Sequence, residues 1–303
     1  MRKLYMFTEQ SNLAVDIRST DIDDQSVMLG GWEQQYTQLE TGSFEAKVCS
    51  LDMSDGNNIF RKHTNRKMSK CFVTPDNLIR FAAVLPGSDV SLFQGRELVA
   101  GDLFVLRPGI ELELVCHGKF DVAVVELESN LNFSYLEDIE NNHLTGIDVL
   151  PKHATSGFAD KINSAFLQGK MNVELFSSLC APAVRALYYK GPDDNKNCIE
   201  DVVTKAIHLV EHCLDDLDEL PKIPEIAAHL GVSERVLEYS FARRYGVSPI
   251  KYFKFMRLHC ARRDIRVGKL SVTDIAMKWG FSHLGRFSGI YRDTFGELPS
   301  HTK

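Results

Sequence analysis

The sequence predicts an α+β protein in which a β-barrel or jelly-roll half precedes an all-α half. Short alternating segments, punctuated by Gly and Pro, fill residues 30–128. From residue 158 to the end, apolar residues recur at helical spacing. Charge divides in a similar way, with an excess of +8 over residues 222–303 and −14 over residues 1–221. A basic helical segment attached to an acidic β-rich body is typical of a protein that contacts nucleic acid.

Length and composition narrow the class of protein further. The chain has 303 residues, of which 44% are hydrophobic and 25% charged, which fits about two folded domains and excludes a mostly disordered chain. No apolar run approaches the ~20 residues of a transmembrane helix, and the first residues turn polar too soon for a secretory signal. The seven cysteines form no C-x-x-C pair. We therefore expect a cytoplasmic, nucleoid-associated protein with no membrane partner and no disulfide framework.

Residues 1–150 are expected to form the β-rich domain. Residues 34–39 and 44–48 alternate and flank Glu40-Thr-Gly-Ser43, which predicts a hairpin with Gly42 at its turn. Further short strands are predicted at 79–85, 90–93, 98–99, 103–106, 111–115 and 122–127. Six or more short strands at close spacing favour a sandwich or barrel.

A helical linker is predicted over residues 151–195. It contains two apolar stripes, separated by Gly169, at residues 158, 162 and 166 and at 173, 176 and 180. Such stripes must be buried, either on the β-domain of the same chain or in a homodimer interface. The turn-rich stretch Gly191-Pro-Asp-Asp-Asn195 marks the boundary with a third segment, 196–303. Helices are expected there at 198–214, 223–230, 234–245, 249–267, 272–279 and 283–294.

The C-terminal segment contains an internal repeat. Ile226-Ala-Ala-His-Leu-Gly231-Val-Ser233 and Ile275-Ala-Met-Lys-Trp-Gly280-Phe-Ser282 each precede a predicted helix. Each glycine permits the left-handed backbone that ends a first helix, and each serine is predicted to cap the second helix. The two patterns predict two helix-turn-helix units. The glycines of the turns are 49 positions apart, whereas Gly246 and Gly296 are 50 apart, so one unit has an extra residue.

The helical period then predicts which side chains of the two units face DNA. Arg235 is expected to donate to guanine, and Glu238 to accept from cytosine. Gly285 and Gly289 in the second helix-turn-helix unit offer no side chain for base contacts. We therefore expect the first unit to read the base sequence and the second to recognise DNA shape and to contact phosphate. The predicted base-contacting residues are Arg235, Glu238, Tyr239, Arg243, His283, Arg286, Ser288 and Gly289. The predicted phosphate-contacting residues are Ser233, Ser248, Lys251, Arg257, Ser282 and Arg292.

A family resemblance covers about 100 residues of this segment. Gly231-Val-Ser-Glu-Arg-Val-Leu-Glu-Tyr-Ser-Phe, then Gly246-Val-Ser-Pro249 and Val272-Thr-Asp-Ile-Ala-Met-Lys-Trp-Gly-Phe281, resemble the DNA-binding domain of the AraC/XylS family of bacterial transcription regulators. The resemblance implies two helix-turn-helix units joined by a long helix, 249–267, which enter major-groove segments about 10 base pairs apart. It also implies an effector-controlled regulatory domain. We expect an activator rather than an enzyme, with RNA polymerase and a second copy of the chain as partners.

The N-terminal half carries a weaker resemblance. Ala100-Gly-Asp-Leu-Phe-Val-Leu-Arg-Pro-Gly109 resembles the Gly-Asp…Pro-Gly stretch of cupins. His63, His117, His143 and His153 do not have the spacing of a cupin metal site, so we expect no metal or other cofactor. A cupin-type metalloenzyme with a basic DNA-binding appendage remains the alternative.

Two further features of this half allow more than one interpretation. The basic run Arg61-Lys-His-Thr-Asn-Arg-Lys67 is either a solvated loop or the anion-recognising lip of an effector site. Six aromatic residues are expected in the core rather than in a ligand site: Trp32, Tyr36, Phe72, Phe81, Phe93 and Phe104.

Overall fold

A computed structural model describes residues 13–25, 33–52, 58–75, 78–106, 109–128, 147–150, 157–168, 202–215 and 221–302. Within these ranges, strands occupy the N-terminal half and helices the C-terminal part, as the sequence predicts. Trp32, His143, His153 and the second apolar stripe of the linker lie outside them.

The β-rich part consists of two sheets. The strands are β1 (Leu13–Ser19), β2 (Glu33–Gln38), β3 (Ala46–Asp52), β4 (Asn58–Thr64), β5 (Met68–Val73), β6 (Leu78–Val84), β7 (Ser91–Phe93), β8 (Arg96–Leu98), β9 (Leu103–Leu106), β10 (Glu111–Cys116), β11 (Phe120–Glu128) and β12 (Ile147–Leu150). One sheet has the order β1-β3-β4-β11-β6-β9-β12, and the other has the order β2-β5-β10-β7-β8. The ring of Phe93 on β7 lies 4.9 Å from that of Phe104 on β9, so the two sheets pack face to face.

The predicted hairpin between the first two alternating segments is wrong. β2 belongs to the five-stranded sheet and β3 to the seven-stranded sheet, so the chain crosses between sheets at Glu40–Ser43 instead of turning back on itself. The crossing loop is closed by Gln38, whose side-chain amide donates to the carbonyls of Glu40 (2.7 Å) and Gly42 (2.9 Å). Alternation identified the strands, but it could not identify their partners.

The basic run at residues 61–67 is only partly a loop: its last three residues connect β4 to β5. Its first four residues belong to β4, where alternate side chains face opposite sides of the sheet. Lys62 faces inward and is only 6% exposed, whereas Arg61 is half-buried on the other face. The aromatic residues that were expected in the core are buried wherever the structure describes them.

Helix α1 (Phe158–Gln168) covers the outer face of the seven-stranded sheet. Its residues Phe158 and Ile162 are buried, and Asn163 accepts a hydrogen bond from Arg61 at 2.9 Å. The Arg61 guanidinium also donates to the Asp121 carboxylate at 2.8 and 2.6 Å. The first apolar stripe of the linker is therefore buried largely on the sheet of its own chain.

The C-terminal helices agree closely with the expected pattern. They are α2 (Val202–Asp215), α3 (Ile223–His229), α4 (Glu234–Tyr245), α5 (Pro249–Val267), α6 (Val272–Lys278) and α7 (Leu284–Phe295), followed by a 3-10 turn at Pro299–His301. The long joining helix α5 has the predicted bounds. Its start is capped by Ser248, and it ends at Gly268, whose φ of 69° lies in the left-handed region.

The chain divides into two compact units. The first comprises residues 1–36, 44–66 and 70–195, and the second comprises residues 37–43, 67–69 and 196–303. Within the second unit, the backbone N–H of Gln38 donates to Nε2 of His259 at 2.8 Å.

Candidate nucleic-acid interface

The two helix-turn-helix units have the same dimensions. Helices α3 and α6 each have 7 residues, and α4 and α7 each have 12. Gly231 and Gly280 both adopt left-handed backbone, with φ of 67° and 74°. In each turn, the amide that follows the glycine donates to an alanine carbonyl five positions earlier, Ala227 at 3.0 Å or Ala276 at 2.8 Å. The sequence repeat is thus also a repeat of hydrogen bonding.

The turns differ by one residue. Helix α4 begins three residues after Gly231, and the Ser233 hydroxyl accepts from the Val236 amide at 3.3 Å. Helix α7 begins four residues after Gly280, so its N-cap is His283, which makes no side-chain capping bond. The prediction that Ser282 caps the second helix is wrong because the extra residue of the repeat lies in this turn.

Helix α5 supplies the core of both units. Near its start, the rings of Tyr252 and Phe253 lie 5.4 and 5.3 Å from that of Phe241 on α4. Farther along, residues of α5 that face the second helix-turn-helix unit form one buried cluster with residues of α6 and α7. The cluster consists of Phe255, Leu258, Ala261, Ile265, Ile275, Ala276, Phe287 and Tyr291. Because α5 packs on both units, it fixes the angle between them.

Helix α4 presents the expected polar face. Leu237 and Phe241 are fully buried. The predicted base-contacting residues of this helix, Arg235, Glu238, Tyr239 and Arg243, are all exposed. Tyr239 is 67% exposed, so its ring and hydroxyl are available to another molecule.

Helix α7 presents a flatter surface. Its inward residues, Phe287 and Tyr291, are buried, and a side chain added at Gly289 would meet no atom within 4 Å. The site residues predicted on or beside this helix divide into two groups: His283, Arg286 and Arg292 are exposed, whereas Ser288 and Gly289 are half-buried. The surface can therefore approach another molecule closely at the glycines.

The predicted phosphate-contacting residues are mostly accessible. Ser233, Ser248, Lys251 and Ser282 are exposed, and Arg292 is exposed beside Asp293, whose carboxylate it pairs with at 3.3 Å. Arg257 differs because it is half-buried. Its guanidinium lies 5.3 Å from the Phe281 ring, and its Nε donates to the Phe253 carbonyl at 3.3 Å. Arg257 thus joins α5 to the second turn, whatever else it contacts.

Some of the arginines of the C-terminal segment make contacts within the fold. Arg262 is buried, pairs with the Glu297 carboxylate at 2.8 Å and lies 4.3 Å from the Phe295 ring. Arg244 donates to the Thr204 hydroxyl at 2.9 Å. The charge excess of the segment therefore overstates the charge that can face phosphate.

Sequence reasoning missed the contacts that set helix α6. The Asp264 carboxylate on α5 accepts from Nζ of Lys278 at 2.8 Å and from Nε1 of Trp279 at 2.9 Å. Ser271 caps α6 by accepting from the amide of Asp274 at 3.1 Å. A Ser-x-x-Asp pattern before an apolar run was the available signal for this cap.

In the described part of the chain, no group of three or more His, Cys, Asp and Glu side chains is placed to hold a metal ion. The described helices include none that is long and apolar enough to cross a membrane.

Two helix-turn-helix units on one long helix define a DNA-binding domain. A family described as "Helix-turn-helix domain" matches residues 226–303. The chain is 34% identical over 116 residues to the XylDLEGF operon transcriptional activator 2 of Pseudomonas putida, a match that covers 37% of this chain and 69% of that protein. This chain belongs to the AraC/XylS family of transcription regulators, a family that does not consist of enzymes.

Other relatives match over smaller parts. A probable thc operon regulatory protein of Rhodococcus erythropolis is 42% identical over 81 residues, but the match spans only 24% of that protein and 26% of this chain. Among solved structures, the AraC-like transcriptional activator CuxR is 16% identical with a TM-score of 0.44, over 82% of this chain and 95% of that one.

Proposed function

We propose that this regulator activates transcription from an operator that its two helix-turn-helix units read unequally. The observation that carries the proposal is the contrast between the two exposed helix faces. Helix α4 offers the long polar side chains of Arg235, Glu238 and Tyr239, whereas α7 offers Gly285 and Gly289 flanked by Arg286 and Arg292. Side chains that reach base edges specify sequence, whereas a smooth basic surface contacts backbone.

The electrostatics of α4 support specific rather than general binding. Glu238 is exposed in the middle of the predicted contact face. A carboxylate near phosphate lowers affinity for all DNA, unless it accepts a hydrogen bond from cytosine. A general DNA-coating protein would gain nothing from this residue.

The finer assignments follow from the family and are part of the proposal. Residues 1–150 form a cupin-like regulatory domain that receives an effector, residues 151–195 form a helical linker, and residues 196–303 bind DNA. Activation then involves contact with RNA polymerase on DNA in the bacterial cytoplasm. XylDLEGF operon transcriptional activator 2 is described as an activator, which supports the sign of regulation.

The proposed homodimer is confined to one part of the linker. Phe158 and Ile162 are buried within their own chain, so they are not offered as the interface. The second stripe, at residues 173, 176 and 180, remains the proposed contact. Paired chains on repeated sites would gain effective concentration without any new base contact.

The experiment is sequence selection from random duplex DNA with the full-length chain, followed by a promoter reporter that carries the recovered site. Enrichment of one motif and higher transcription with the site present are expected. Glu238→Gln retains size and removes charge, whereas Glu234→Gln does the same at an exposed residue that is not in the predicted contact set. Only Glu238→Gln should change the recovered motif. Recovery of no motif, or a reporter that is repressed, contradicts the proposal.

A further inference from the structure

Two short segments from the N-terminal half of the sequence belong to the second compact unit, which contains the DNA-binding helices. These segments, residues 37–43 and 67–69, group with residues 196–303. They are also joined to each other. The Leu39 amide donates to the Lys67 carbonyl at 2.9 Å, and the Lys67 amide donates to a carboxylate oxygen of Glu40 at 3.0 Å. We call these two segments the clamp.

Gln38 connects the clamp to helices α5 and α7. Its backbone N–H donates to Nε2 of His259, in the middle of α5, at 2.8 Å. Its side-chain amide donates to the Thr294 carbonyl, in the last turn of α7, at 3.2 Å, as well as to the carbonyls of Glu40 and Gly42. Since the amide has two N–H groups for these three carbonyls, one N–H is shared. Gln38, His259 and Thr294 are at most 2% exposed, so water does not compete for these hydrogen bonds.

The clamp also reaches the C-terminal ends of α4 and α7, the two helices that carry the predicted DNA contacts. The Gly42 amide donates to the Asp293 carbonyl, in the last turn of α7, at 2.7 Å. Nζ of Lys67 donates to the carbonyl of Gly246, the residue that caps α4, at 3.3 Å. Carbonyls at the end of a helix lack a partner within the helix, and a cation stabilises that end. The clamp therefore supplies hydrogen-bond donors at the ends of both helices.

These contacts give the two helix-turn-helix units a second connection besides α5. The first unit packs near the start of α5 and the second unit packs farther along it, so a bend in α5 would move α7 relative to α4. Helices of this length bend readily. The clamp contacts the end of α4, the middle of α5 and the end of α7, so such a bend would have to break at least one of its hydrogen bonds. Because the acceptors on α4 and α7 are backbone carbonyls, the clamp holds the helices themselves rather than single side chains.

We propose that the clamp holds α4 and α7 at one separation and thereby makes the regulator selective for the spacing between the two half-sites of its operator. Gln38 and Lys67 are positioning residues in this account, because they act through the helices and not through contact with DNA. The proposal rests on the proposed function for the existence of two half-sites, and it adds the residues that set their spacing. One added base pair moves a half-site by about 3.4 Å and turns it by about 34°, so a fixed pair of helices fits one spacing.

The first experiment measures the separation of the two helices without DNA. The full-length chain receives spin labels at two exposed residues, Glu238 on α4 and Arg286 on α7. The labels are attached through a chemistry that does not use thiols, because the chain has seven cysteines. Double electron–electron resonance then gives the distribution of distances between the labels. We expect one narrow distribution for the unmodified clamp and a broader one when Gln38→Met and Lys67→Met are combined.

Matched variants separate the clamp from ordinary surface residues. Gln38→Met removes the side-chain donor together with Oε1, which is buried and accepts no hydrogen bond from the described residues, so part of the loss is offset. Lys67→Met removes a half-buried ammonium group and leaves the backbone bonds of residue 67 in place, so it tests the clamp even if Gln38→Met does not fold. Gln35→Met and Lys119→Met make the same changes at exposed residues outside the clamp and should alter neither readout.

The second experiment measures affinity for the operator recovered by sequence selection, with one base pair added to or removed from the interval between its half-sites. The unmodified chain should bind the altered spacings about tenfold more weakly, as for one mismatched base pair. The clamp variants should reduce that penalty to roughly threefold while they prefer the same bases within each half-site. A role in stability alone would instead lower the Tm and would lower affinity at every spacing alike.

Three results would overturn the proposal: an unchanged distance distribution in the combined variant, an unchanged spacing penalty, or an equal loss of affinity at every spacing. If sequence selection recovers no motif, the proposed function falls, and the distance measurement decides on the clamp without DNA. If a motif is recovered and the combined variant keeps both the narrow distribution and the spacing penalty, the clamp falls and the proposed function stands.

Discussion

Removing the hydroxyl of Ser233 should destabilise the second compact unit, which contains the DNA-binding helices, whereas the same change at Ser282 should not. The two serines occupy equivalent positions in the sequence repeat, and both are exposed. Only Ser233 accepts a bond from a helix amide, that of Val236 at 3.3 Å. The start of α7 has His283 at its N-cap without such a bond.

The expected magnitudes follow from this difference. Loss of an N-cap serine costs about 1 kcal/mol, whereas a surface substitution away from such a feature stays within about 0.5 kcal/mol. For a unit of this size, about 1 kcal/mol lowers Tm by roughly 4–8 °C. Ser271 provides a positive control because it caps α6 through the Asp274 amide at 3.1 Å.

The assay is thermal unfolding of the full-length variants, followed by circular dichroism at a wavelength that reports helix. Ser233→Ala and Ser271→Ala should lower the Tm of the helical transition, and Ser282→Ala should leave this Tm unchanged. Because Ser233 and Ser282 are both predicted phosphate contacts, both variants should still lose DNA affinity. Equal loss of stability at the two serines would refute the placement of the extra residue in the second turn.

Three other predictions concern DNA contact and pH. Arg235→Ala should cost about 1–3 kcal/mol at one base pair and relax the preference there, whereas Arg292→Ala should weaken all sequences alike in binding titrations. Gly289→Ala should raise stability by about 0.5–1 kcal/mol, since the added Cβ meets no atom within 4 Å, and yet lower affinity for DNA. Burial and the charges of neighbouring arginines lower the pKa of His259 in the folded chain to about 3. In the unfolded chain this pKa is about 6.5, so the unfolded chain binds the proton first as the pH falls. The free energy of unfolding should therefore fall by about 2 kcal/mol between pH 7 and pH 5, and His259→Gln should remove that part of the slope.

The helical half was predictable because its signals are local. Glycine turns, serine caps and apolar spacing placed α4 and α5 at the bounds that the structure has. The cap of α7 could not be predicted by analogy, since the sequence shows that one residue is extra but not where the fold accommodates it.

The β-rich half was less predictable because sheet pairing is not local. Residues 34–39 and 44–48 were identified as strands, but their assignment to different sheets depends on contacts far along the chain. Charge was also misleading there: Lys62 lies in a basic run that suggested a solvated loop, yet Phe60, Lys62 and Thr64 alternate with the period of a strand and face inward.

Methylation protection of the selected operator by the full-length chain tests the central claim most directly. If both helix-turn-helix units enter the major groove, guanine N7 atoms should be protected in two clusters about 10 base pairs apart on one face of the duplex. Arg235→Ala should remove protection from one cluster and leave the other. Protection of a single cluster, or no protection in the major groove, would contradict the account.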